Sequence, residues 1–217
     1  MRPLGIFGGM FDPIHFGHLR AAYELSVMLD LEQVLFIPAA DPPHRSSPLA
    51  DAASRMDMVR AAIADEPRFV ADDREIRRGG CSYTVLTLEV LRAEQGERPL
   101  VLMLGADALA GLADWHRWRE LPVLAHLAIA NRPGVSLPAQ GELGAMLRAR
   151  RERDARRLAA QPAGLVFVHE GVGLDVSSTD AREALCQGRD PRYLMPEPVR
   201  RMILDKGIYA RPGATEG

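Results

Sequence analysis

The chain has 217 residues, 47% of them hydrophobic, and a formal net charge of -2, enough for one sizeable α/β domain and no electrostatic case for a dedicated DNA or RNA binder. Its two cysteines, Cys81 and Cys186, lie far apart without CxxC or metal-ligand spacing, which suits a reducing compartment rather than a disulfide framework. The opening "RPLGIFGG" is too short an apolar run for a signal peptide, and no stretch approaches the ~20 apolar residues of a membrane span, so a cytoplasmic protein without nucleic-acid or membrane partners is expected.

In chain order, the strand "PLGIF" leads into a glycine-rich turn and a helical pattern over 18–30. The strand "QVLFIPA", a helix over 51–65, the strand "RFVADD" and a helix over 83–95 follow. Then come the strand "PLVLMLG", a helix over 108–115, the strand "HLAIAN", a long helical pattern over 141–160 and the strand "GLVFVHE". Helices over 178–186 and 197–206 close the pattern. Several strands are nearly continuous Val, Ile and Leu, as when helices cover both faces of a parallel sheet. The alternation predicts a Rossmann-like, doubly wound, mainly parallel sheet in a single domain over 1–217, with a frayed end at 208–217. The segment "RARRERDARR" carries six arginines from Arg148 to Arg157. It reads as a solvated helix face with interspersed acids, Glu152 and Asp154; a phosphate or nucleic-acid patch is the alternative.

The densest chemistry sits in "GGMFDPIHFGH", Gly8 to His18. Gly8 and Gly9 let the backbone approach a ligand and adopt positive φ. Pro13 fixes the turn, and a helix start offers unpaired N–H groups to a phosphate. His15 and His18, three apart, share a face on the first turn. The dinucleotide pattern GxGxxG is absent, and H-x-x-H without further nearby ligands is weak as a zinc motif; no protein metal site is expected.

This stretch resembles the HxGH motif of the nucleotidylyltransferase superfamily, in the form carried by bacterial nicotinate-mononucleotide adenylyltransferases. The family usually reads GGxFDPxHxGH, and every fixed position matches. "DVSSTDAR", Asp175 to Arg182, is similar to the family's SSTxxR motif at a late helix start; Ala181 stands where the family often has a larger aliphatic residue. Ser and Thr at a helix start add hydroxyls to the free N–H groups, and Arg182 adds a charged fork. "LGADALAGLADWHRW" resembles the segment G-x-D followed by W-x-x-W. Gly105 ends a buried strand, Asp107 can accept from ribose hydroxyls or cap the next helix, Trp115 offers a face to a pyridine ring, and Trp118 is read as core. "PPHR" stands where the family has PPHK, so Arg45 keeps the charge but not the lysine geometry; only Lys206 among the 27 basic residues is lysine. His44 beside it is either a contact or a loop residue. "CSYT" resembles the family's SYT segment, with N–H groups near Tyr83 and Thr84 able to bind a carboxylate and Ser82 available as N-cap. "NRPG" supplies Arg132 as a phosphate contact.

The resemblance implies transfer of the adenylyl group of ATP to nicotinate mononucleotide, a step of NAD biosynthesis that releases pyrophosphate. It implies His15, His18, Arg45 and Arg182 as catalytic residues. Gly8, Gly9, Met10, Phe11, Asp12, His44, Tyr83, Thr84, Gly105, Asp107, Trp115, Arg132, Ser177, Ser178 and Thr179 are the implied substrate contacts. Mg²⁺ is expected to arrive with ATP rather than in a protein cage. A homo-oligomer is compatible with the sequence. The rival readings are another HxGH adenylyltransferase, such as the phosphopantetheine enzyme, a class I aminoacyl-tRNA synthetase, or a nucleotide-binding sensor without catalysis. The first lacks the G-x-D and tryptophan segment, the second needs a KMSKS-like segment absent here, and intact His15, His18 and Arg182 speak against the third.

Overall fold

The computed structural model describes residues 1–41, 48–131, 134–171 and 174–210. The strands β1 (Leu4–Gly9), β2 (Gln33–Pro38), β3 (Phe69–Ala71), β4 (Leu100–Gly105), β5 (His126–Asn131), β6 (Arg151–Glu152) and β7 (Val166–Glu170) form one sheet in the order β3-β2-β1-β4-β5-β7-β6. Every pairing among them is parallel.

Successive strand residues point to opposite faces, and here both faces are apolar. In β4, Leu100, Leu102 and Leu104 join one buried cluster while Val101 and Met103 join the other. Leu25 of α1 (Phe16–Met28), Met58 of α2 (Ala52–Ile63) and Val199 of α9 (Glu197–Lys206) cover the Val101 side. Leu88 of α4 (Thr84–Gln95), Leu109 of α5 (Ala106–Ala110), Leu121 of α6 (Leu121–Leu124) and Leu143 of α7 (Gly141–Arg150) cover the other. This two-sided cover is why the strands read as continuous hydrophobic runs.

From β1 the chain winds outward to β2 and β3, then returns to place β4 on the other side of β1 and continues to β5. The connections therefore diverge between β1 and β4, and a crevice opens outside the strand ends at such a point.

Some elements differ from expectation. The helix over 141–160 ends at Arg150, β6 pairs with Val166 and Phe167, and a 3-10 turn runs from Ala155 to Ala160. Leu143 and Leu147 are buried, but the next inward positions are arginines, so the helix loses its apolar face. The arginines there meet local partners: Arg156 pairs with Asp154 at 2.9 Å and Arg150 donates to the Gly164 carbonyl at 3.0 Å. The helix over 108–115 begins at Ala106 and stops at Ala110, with a 3-10 turn at Leu112–Asp114 beyond Gly111. The short helices α3 (Arg74–Arg78) and α6 carry too few residues to show a period. α8 (Ser178–Cys186) and α9 have the predicted bounds. The end read as frayed from 208 is packed at its start: Ile208 and Tyr209 lie against the core, and the Tyr209 hydroxyl donates to Asp12 at 2.7 Å.

Candidate active site

A cleft of about 830 Å³ lies beyond the carboxyl ends of β1, β4 and β5, and every candidate residue within the described segments lines it. His44, Arg45 and Arg132 lie outside the described residues.

Gly8 and Gly9 are the last residues of β1, and neither has a positive φ. Phe11 does instead, at φ 47. A Cβ on Gly9 would sit 3.1 Å from the Phe11 ring, so this glycine makes room for a side chain of the turn itself. The Phe11 ring is 1% exposed and stands edge-on to His18 at 5.2 Å; it buttresses that imidazole from the core. Met10 lies between, its carbonyl accepting from Arg55 Nη1 at 2.8 Å.

His15 is the N-cap of α1, which begins at Phe16, within the His15–His18 stretch where the sequence places the helix start and two residues before the periodic pattern from 18. His18 Nδ1 accepts from the His15 amide at 3.3 Å, and the His18 amide donates to the His15 backbone carbonyl at 3.0 Å. The two rings stack at 3.8 Å. With Nδ1 accepting, the neutral His18 ring carries its proton on Nε2. Gly17 between them was not among the predicted site residues. Its Cβ would fall 2.9 Å from the His15 ring and 3.2 Å from the Val176 carbonyl. Only glycine admits both the stack and the close approach of the segment before α8.

The start of α8 meets this turn. Ser177 caps the helix by accepting from the Asp180 amide at 3.1 Å. The Ser178 hydroxyl donates to the Pro13 carbonyl at 2.9 Å, and Arg182 Nη1 donates to the Asp12 carbonyl at 2.7 Å. Arg182 Nη2 also donates to Thr179 Oγ1 at 3.2 Å. Two helix N-termini far apart in sequence thus bring their positive dipole ends to one cleft, although at α1 the Phe16 amide is bonded to the Leu194 carbonyl and the His18 amide to the His15 carbonyl, each at 3.0 Å.

On the other wall, Gly105 is the N-cap of α5, and Asp107 is exposed in the first turn rather than capping it. Trp115 is half-buried at the cleft, whereas Trp118 is 6% exposed in the core. Tyr83, not Ser82, is the N-cap of α4, with Thr84 its first residue. Ser82 Oγ accepts from the Ala40 amide at 2.8 Å instead. The Tyr83 ring lies 4.4 Å from that of His116, a cleft residue that no sequence motif singled out.

Asp12 was expected to contact substrate. It is 2% exposed, and its carboxylate accepts from the Leu49 amide at 2.9 Å, the Ala50 amide at 3.1 Å and the Tyr209 hydroxyl. Those internal bonds make it an anchor of the turn. Arg55, 1% exposed, ties the same region together through the carbonyls of Met10, Ala40 and Ala50. Neither role has a local sequence signal, since each contact joins distant segments.

Among the described residues, no group of three His, Cys, Asp or Glu side chains could hold a metal ion, and no helix is long and apolar enough to cross a membrane.

This sheet, with its cleft at the strand switch point, is that of the cytidylyltransferase-like class, whose family model matches residues 6–184. A protein of Marinobacter nauticus named "Probable nicotinate-nucleotide adenylyltransferase" is 45% identical over 209 residues, covering 95% of this chain and 97% of its own. One of the same name from Dechloromonas aromatica is 46% identical over 213 residues, with 95% and 97% covered. The chain belongs to this nicotinate-nucleotide adenylyltransferase family of nucleotidyltransferases. In fold it is similar to the structure of Plasmodium falciparum nicotinic acid mononucleotide adenylyltransferase complexed with NaAD, with a TM-score of 0.74 at 15% identity over 96% of this chain and 98% of that one.

Proposed function

We propose that the protein transfers the adenylyl group of ATP to nicotinate mononucleotide, forming nicotinate adenine dinucleotide and pyrophosphate. The observation that carries this reading is the convergence of His15, His18 and Arg182, on two helix starts, around one cleft at the switch point of the sheet. The mononucleotide phosphate attacks the α-phosphorus of ATP, and pyrophosphate leaves. A phosphate is already ionised at neutral pH, so the step needs no strong base and no covalent intermediate. Catalysis then rests on positioning and on stabilising the charge that develops.

In this reading the Nε2–H of His18 faces a reacting phosphate oxygen, and His15 holds it there. Arg182, with Arg45, holds the triphosphate and the departing pyrophosphate. The hydroxyls of Ser177 and Ser178 are bonded within the protein, so that turn acts chiefly through its free N–H groups. Asp107 takes ribose hydroxyls, Trp115 stacks on the pyridine ring, and Arg132 adds a phosphate contact. The turn at Tyr83 and Thr84 receives the nicotinate carboxylate. The phosphate-facing wall offers imidazoles, amides and a guanidinium, with the Asp12 carboxylate turned inward. Such a donor set suits an anion, and Mg²⁺ would be carried by the ATP oxygens, where it offsets their charge.

Pyrophosphate release from Mg-ATP, with nicotinate mononucleotide present and absent, tests the proposal. Release that requires the mononucleotide is the expected result. Release only with a phosphopantetheine acceptor, or none with either, overturns it.

A further inference from the structure

The last described residues reach back into the first motif. After α9, Gly207 takes the left-handed conformation at φ 64, and the Ile208 amide bonds to the Ile203 carbonyl at 3.0 Å. This is a glycine C-cap that turns the chain back on itself. Tyr209 follows at φ 70, a region that side chains larger than Asn rarely occupy. Such a conformation persists only where surrounding contacts over-determine it. Here the Cys186 thiol donates to the Tyr209 carbonyl at 3.5 Å, and the phenol ring packs on the core. The hydroxyl donates to Asp12 Oδ1 at 2.7 Å. Burial, then the neighbouring carboxylate, push the phenol's pKa upward and keep it a donor.

Asp12 is where this contact gains consequence. The same Oδ1 accepts from the Ala50 amide, Oδ2 accepts from Leu49, and the Asp12 carbonyl receives Arg182. One residue therefore joins the segment after α9, the stretch leading into α2 and the guanidinium of α8, three residues before His15.

We infer that Tyr209 is a positioning residue for adenylyl transfer: its hydroxyl holds Asp12, and through Asp12 the seat of Arg182 and the approach to α1. The kinetic part of this inference rests on the proposed function; the contact itself does not. Tyr209 touches no reacting atom in this scheme. It acts by keeping the ATP-phosphate side of the cleft in register.

The test is Tyr209→Phe, which removes one oxygen, with Tyr193→Phe as control because Tyr193 is 83% exposed. Two readouts are taken on the full chain: hydrogen exchange at the Leu49 and Ala50 amides, and KM for ATP and for nicotinate mononucleotide alongside kcat. With the folded content unchanged, Tyr209→Phe is expected to speed exchange at those two amides and to raise KM for ATP or lower kcat by up to about tenfold, the effect of one lost hydrogen bond on the barrier. KM for the mononucleotide stays constant, and Tyr193→Phe matches the wild type in every readout. Wild-type exchange at Leu49 and Ala50 overturns the latch. Faster exchange with unchanged kinetics, or a loss of activity explained wholly by the unfolded fraction, reduces Tyr209 to a structural residue and overturns the positioning role. If the wild type itself shows no turnover with these substrates, the proposed function has failed, and the exchange readout still decides the latch.

Discussion

Arg182 ties the architecture of the cleft to the chemistry proposed for it. Two of its N–H groups are held by the Asp12 carbonyl and Thr179, which orients the planar fork while other donors remain for a ligand. Arg182→Ala is expected to weaken use of ATP about tenfold or more, the scale of a charge-assisted hydrogen bond, with a much smaller effect on the mononucleotide. Michaelis constants and turnover for both substrates check this; an equal effect on both moves Arg182 away from the triphosphate. That the His15–His18 turn and the serine-threonine helix start share a cleft was legible through the resemblance of both motifs, in their order, to the nucleotidylyltransferase family; their spacing alone left each open to a plain structural reading. What lay hidden was the direction of individual groups. Phe11 and Asp12 sit in the motif yet turn inward, and Gly17 matters because a neighbouring ring and a distant carbonyl crowd it. Such facts depend on contacts across the fold, which a linear pattern does not encode.

At the level of elements, the proposed function assigns most of the recognition to helix starts. α4 begins at Thr84 beside the Tyr83 and His116 rings, and its first N–H groups lack intrahelical acceptors. A carboxylate can accept from them, whereas the NH₂ of an amide brings a donor to donors. The protein is therefore expected to prefer nicotinate mononucleotide over nicotinamide mononucleotide by several orders of magnitude. Comparison of kcat/KM for the two, at the same ATP and Mg²⁺, measures this, and equal values would show that the α4 start does not select. Stacking on Trp115 cannot discriminate, since both rings present similar faces. The elements themselves were legible where apolar periodicity was long, as in β4, β5 and α9. They were not where tertiary pairing decides: β6 is two residues joined to the sheet by its alignment with Val166 and Phe167, and no propensity marks it.

For the molecule as a whole, stability should carry a signature of His126. The ring is fully buried, Nδ1 accepts from the Leu165 amide at 3.1 Å, and Nε2 lies 2.8 Å from the Gln161 carbonyl. The bond accepted at Nδ1 requires the neutral form, and burial above all holds the pKa below the usual histidine value, against the opposing pull of hydrogen bonds to the backbone at Gln161 and Leu158 and with Arg92 adding to the lowering. Because the folded pKa is depressed, the contribution is complete above the unfolded value of about 6.5 and is lost as pH falls towards the folded one. Melting temperature should thus decline from about pH 7 to about pH 5, and the decline should shrink in His126→Asn, which retains an acceptor for Leu165 but does not titrate. An unchanged slope would assign the acid sensitivity to other groups.

The chemistry proposed here centres on the first turn of α1, where the His15 and His18 rings stack on the wall of the cleft. The most direct measurement is the turnover of His18→Ala with Mg-ATP and nicotinate mononucleotide, taken beside its circular dichroism. The account predicts a native spectrum with turnover reduced about a hundredfold or more, the usual effect of removing a group that stabilises charge at the reacting centre. Near-normal turnover in the folded variant would contradict it.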